Sequence, residues 1–165
     1  MGAGTVYDES TRLYWSVADL ADNDAPTTGE VDAATDLSGY AIPDGVSFNL
    51  GNSRVSGADL LTAFDNESMG RFQATPSIMF KRKLRDGSEL AWDTLGDRKL
   101  QGTLIVFVTL DPGADPASGD ACLVFPDCET GTPLVQNTAV NSEVRFLVDM
   151  AVGSEPKLRA VVGGS

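Results

Sequence analysis

Two stretches of this chain repeat with a period of two, and that repeat limits what it can fold into. Over residues 71–84, Phe72, Ala74, Ile78, Phe80 and Leu84 share one parity while Gln73, Ser77, Lys81 and Lys83 share the other. Over residues 140–152, Val140, Val144, Phe146, Val148, Met150 and Val152 alternate with Glu143, Arg145 and Asp149. Successive side chains of a strand point to opposite faces, so each stretch predicts a long strand with one core face and one wet face. Pro76 lies inside the first and lacks an N–H, which places it at an edge, a bulge or a bend. Residues 103–110 are apolar on both parities, the pattern of a central strand covered on both sides.

Shorter signals fill the rest. Residues 13–17 and 46–50 read as strands, and Ser56 as the cap of a turn of helix over 58–64. A turn at Asp86-Gly87-Ser88 leads into a helix over 89–95, capped by Ser88, ended by Gly96, with Leu90, Ala91 and Leu95 toward the sheet. Residues 111–116 form a loop, and 121–136 a strand or hairpin broken by Pro126-Asp127 and Gly131. Residues 161–162 pair briefly before a flexible tail at 163–165. Residues 19–45 are rich in Asp, Ala, Thr, Gly and Pro and show no period. They read as a long acidic arm or loop, either ordered by a partner or simply solvated. The expected fold is mainly β: one domain over 1–165, a β-sandwich or barrel of long antiparallel strands with one short flanking helix and a long irregular N-terminal arm.

Charge and composition exclude several functions. Twenty-four acidic residues against twelve basic ones give a net charge of −12, which opposes binding to a polyanion. Nine of those acids fall in the first 45 residues, where Arg12 is the one base. Histidine is absent, which removes the commonest general base, metal ligand and triad member. Cys122 and Cys128 are too few for a structural zinc site, and read as reduced packing thiols or as a bridge closing a local hairpin. The carboxylate pairs Asp111 with Asp115 and Asp127 with Glu129 lack the ligand order of a calcium loop, and no phosphate-cradling glycine loop occurs. No catalytic, cofactor-binding or metal-binding residue is therefore singled out, and an enzyme is not expected. No apolar run is long enough to span a membrane, no secretory pattern opens the chain, and Val6 breaks the match to a myristoylation motif.

One dense basic patch, Lys81, Arg82, Lys83 and Arg85, stands against this acidic background. Strand parity puts Lys81, Lys83 and Arg85 on one face and Arg82 on the other. The patch reads as a partner for the acidic arm of a neighbouring copy, as an ordinary solvated face, or as a nucleic-acid contact.

The order of features along the chain resembles the major tail, or tail tube, proteins of long-tailed bacteriophages, siphophages of actinobacteria in particular. The matching features begin with Ala58-Asp59-Leu60 ahead of the strand at 71–85, and the acidic turn and helix containing Ala91-Trp92-Asp93-Thr94-Leu95. The apolar strand Gly102-Thr103-Leu104-Ile105-Val106-Phe107-Val108 follows, then Thr132-Pro133-Leu134, Asn137, and a last strand ending near Glu155-Pro156-Lys157. About two thirds of the chain is covered. The resemblance implies hexameric rings with a continuous β-sheet inner wall, stacked into a hollow tube through which DNA passes without specific binding. It also implies a virion location after synthesis in the host cytoplasm, assembly on a length-setting tape-measure protein, and contacts with tail terminator and tip proteins. Glu143 and Asp149, on the wet side of the last long strand, are the candidate lumen-facing acids, with Arg145 beside them. The alternatives are another virion part (a tail terminator, a head-tail joining or a capsid decoration protein) or a β-sandwich binding module whose platform would draw on Tyr14, Trp15, Tyr40 and Trp92.

Overall fold

The computed structural model describes residues 11–57, 67–82, 89–111, 113–136 and 144–164. In chain order these form β1 (Arg12–Ser16), α1 (Thr28–Ala33), β2 (Thr35–Asp36), β3 (Ala41–Ser47), β4 (Gly51–Ser56), β5 (Glu67–Gln73) and β6 (Ser77–Lys81). Then come α2 (Leu90–Leu95), β7 (Gln101–Phe107), β8 (Ala121–Thr130), β9 (Leu134–Gln136), β10 (Arg145–Val152) and β11 (Lys157–Val161). The fold is mainly β and its strand pairings are antiparallel.

Nine strands make one sheet along the path β2-β1-β7-β8-β10-β6-β3, with β11 added to β8 and β9 to β10, while β4 and β5 form a separate hairpin. The two ends of that path are neighbours in sequence. Only residues 37–40 separate β2 from β3, and five Cα steps hold those edges within about 19 Å of each other. The connecting turn bonds to both sides: Leu37 N–H donates to the Leu13 carbonyl at 2.9 Å, and Lys81 N–H donates to the Tyr40 carbonyl at 2.7 Å. The sheet therefore curls into an open barrel.

Its interior collects Leu13, Trp15, Ile78, Phe80, Leu104, Val106, Phe125, Phe146, Val148 and Met150, with Ala91 and Leu95 of α2. A second cluster lies on the other face, where Val31 of α1 and the C-terminal Ala160 and Val162 cover Tyr14, Ile105, Phe107, Cys122 and Val124. β7 belongs to both clusters, which is why residues 103–107 are apolar on both parities.

β8 changes phase along its length. Gly102 pairs with Cys128 but Leu104 with Phe125, so β8 holds an extra residue there, and Asp127 takes up the turn at φ 50°. Cys122 and Cys128 consequently face different cores as free thiols, which excludes the bridge between them.

Several expectations need correction. Residues 71–84 are not one strand: β5 ends at Gln73, β6 begins at Ser77, and the two lie in different sheets. Pro76 marks the bend, its carbonyl accepting from Met150 N–H at 2.8 Å. The strand expected at 46–50 lies earlier, as β3, which ends at Ser47, and residues 48–50 connect it to β4. The helix expected at 58–64 lies outside the described residues, and Ser56 ends strand β4. α2 starts one residue later than expected, with Glu89 rather than Ser88 at its N-cap; Ala91 and Leu95 are buried but Leu90 is exposed. The long irregular arm is irregular only to about residue 26. Beyond it Thr27 and Glu30 form a capping box that starts a second short helix, α1, followed by β2 and β3. The Thr-x-x-Glu signal was present at 27–30, but one turn of helix shows no period to reveal it. At the other end, Gly163 is bonded, its N–H donating to the Pro26 carbonyl at 2.9 Å, so it is no part of a tail.

Candidate assembly surface

Part of the sheet has an outer face that no described element packs against. In β10, Phe146, Val148 and Met150 point into the barrel, so Arg145, Leu147 and Asp149 point out. Register extends these into rows across three strands: Gln136, Arg145 and Lys81 in one, Leu134, Leu147 and Met79 in the next. Asp149 lies opposite Ser77, which is itself opposite Ser47 of β3. Leu134 is 52% and Val135 53% exposed, unusual for large apolar residues in a strand. β9 pairs with β10 and β3 pairs with β6, and among the described residues each has its other edge open.

The predicted site residues divide. Asp149 is exposed and Lys81 half-buried, and they share the outer face, so one candidate lumen acid and one residue of the basic patch belong to the same surface. Asp149 also opens onto a groove of about 1030 Å³ between β5 and the ends of β8 and β10, whose charged lining is Arg71, Arg98, Glu129 and Glu155. Its surroundings are mixed in sign.

Arg82 is turned the other way. Its Nη2 lies 2.8 Å and its Nε 3.2 Å from Oε1 of Glu89, and its guanidinium stands 4.2 Å from the Trp92 ring centroid. Trp92 in turn meets Phe146 edge-on at 5.0 Å. Arg82 thus ties α2 to the barrel. Lys83, Arg85 and Glu143 lie outside the described residues.

Sequence reading missed the role of Arg145, because only register shows its neighbours. It stands directly opposite Lys81, and among the described residues its Nε is buried without a hydrogen-bond partner. Like charges directly opposed on adjacent strands destabilise the pairing.

The other candidates disperse. Asp127 accepts from the Ser154 hydroxyl, and Glu129 accepts from Gln101 Nε2 at 2.6 Å, so each has its own partner. Among the described residues no three Cys, Asp or Glu side chains lie close enough to hold a metal, and no helix is long and apolar enough to cross a membrane. Tyr14 and Trp15 are core residues and Trp92 lies under Arg82, so these aromatics build no exposed platform.

An antiparallel barrel whose outer sheet face and two strand edges are open among the described residues offers surfaces through which further strands can be added. The chain belongs to the phage tail tube protein family, whose family model matches residues 2–165, essentially its whole length. No curated protein matches it. It is a structural component of the phage virion, of a family that assembles into the tube of the tail.

Proposed function

We propose that the chain, acting as one tail-tube domain over 1–165, forms hexameric rings that stack into the hollow tube of a siphovirus-type tail. The bore is the conduit for genome ejection. The observation that carries this reading is the four-strand unit β9-β10-β6-β3, open at both edges among the described residues. Its neighbours alternate in direction, so β9 and β3 run antiparallel. Copies related by rotation about a ring axis therefore bring β3 of one against β9 of the next in antiparallel orientation, and the sheet continues around the ring.

The net charge of −12 suits a conduit past which a polyanion slides without sticking. Glu143 and Asp149 serve in it only if they lie within about 8 Å of the DNA, the Debye length at physiological salt. The same face brings Arg145 and Lys81 with it, so the wall carries bands of both signs. Assembly proceeds on a tape-measure protein in the host cytoplasm and ends at terminator and tip proteins.

Negative-stain electron microscopy of the purified chain at rising concentration and salt tests this reading. Hollow tubes of stacked rings are the expected result. Single closed rings that never stack would point instead to a terminator or joining protein, and persistent monomers to the binding-module alternative.

A further inference from the structure

The two edges that meet in such a ring each carry a feature that the barrel's own packing leaves unexplained. On β3 it is a wide bulge: Ala41 pairs with Phe80 and Val46 with Ile78, which leaves three more residues on β3 than on β6. Pro43 and Asp44 in this bulge are exposed. The bulge is held at its base, because Gly45 lies so close to β6 that a Cβ there would come within 2.5 Å of the Met79 Cβ. A bulge bearing proline and a charge guards an open edge against indiscriminate pairing, and admits only an edge shaped and charged to receive it.

On the opposite side of the unit Arg145 stands one strand behind the open edge of β9, with the exposed Gln136 between them in its row. Among the described residues its Nε is buried without a hydrogen-bond partner. Such a position calls for an anion. An aspartate on a strand added to β9 would lie two strand spacings from Arg145, about 9.6 Å between backbones, within the joint reach of the two side chains.

We propose that Asp44 of one copy pairs with Arg145 of the next and fixes the register of the β3–β9 junction. The occupant of this edge is thus a second copy of the chain, and the inference rests on the ring reading above. Register has to be fixed, because a slip of one residue would exchange the core and outer faces of the added strand.

Charge exchange in the full chain tests it, read by sedimentation and negative-stain microscopy. If the unaltered chain forms neither rings nor tubes, the ring reading fails and the lock fails with it. Given assembly, Asp44→Arg and Arg145→Asp are each expected to cut the sedimenting fraction about tenfold, and the double exchange to recover most of it. Single variants that assemble like the unaltered chain, or a double variant no better than the worse single one, overturn the lock and leave the ring reading standing. Urea unfolding of the subunits identifies any exchange that fails to fold. Asp44→Asn and Arg145→Gln, which keep shape and remove charge, then decide: weakened assembly supports the lock and unchanged assembly refutes it.

Discussion

A side chain at position 102 would collide with the tryptophan of the barrel core. A Cβ there would lie 2.5 Å from Cζ2 of Trp15 and 2.7 Å from the Ser16 carbonyl oxygen. Trp15 has no room to withdraw, because it is 2% exposed and β1 is held in register on β7. Gly102→Ala is therefore expected to destabilise the subunit by about 1–3 kcal/mol, seen as a lower urea midpoint at unchanged slope. The cysteines give a pH-dependent expectation. Burial pushes the thiol of Cys122 up to about 11 and that of Cys128 up to about 12, from an ordinary 9.0. The folded chain keeps protons that the unfolded chain releases, so this contribution to stability is complete below about pH 9 and is lost as pH rises toward 12. Both thiols should resist thiol reagents in the native subunit, and Cys122→Ala with Cys128→Ala should remove part of the alkaline fall in stability.

At the scale of elements, α1 depends on its first turn. The carboxylate of Glu30 accepts from Ala21 N–H at 2.7 Å and from Thr27 N–H at 2.8 Å, and these bonds hold it below its ordinary 4.5. A depressed carboxylate stabilises above that ordinary value, and the contribution disappears as pH falls through the lower folded value. Glu30→Ala is expected to cost about 1 kcal/mol near neutral pH and much less in acid, a difference that thermal melts at the two pH values would show. The clamp of α2 is of another kind. Arg82→Met keeps most of the packing on Trp92 but loses the bond to Glu89; a loss of about 1 kcal/mol is expected, shrinking in high salt. If salt leaves the difference unchanged, the clamp works by packing alone.

For the whole molecule, the two cores differ in what closes them. The barrel interior is enclosed by strands from along the sheet and by α2, whereas the second core is covered by α1 and the last residues of the chain. Those residues are fixed by several bonds: Val161 N–H donates to the Asp24 carbonyl at 3.1 Å, Val162 N–H to Asp120 at 2.9 Å, and Gly163 N–H to Pro26 at 2.9 Å. Removing residues 157–165 would uncover Ile105, Phe107, Cys122 and Val124. The truncated chain is expected to bind a hydrophobic dye and to aggregate as subunits, where the full chain does neither.

The sequence by itself determined which side chains share a face. The alternation over residues 144–152 and the doubly apolar run at 103–107 fixed the core sides of β10 and β7, because a strand's period of two is a local property of the backbone. Composition likewise set the net charge, and the order of features pointed to the family. Only the tertiary structure decided which strands lie side by side. It separated β5 from β6 at Pro76, sent the two cysteines to opposite faces through the bulge in β8, and lined up Gln136, Arg145 and Lys81. Neighbours in a sheet are set by register between segments far apart in the chain, and a periodicity read along one strand carries no information about the strand beside it.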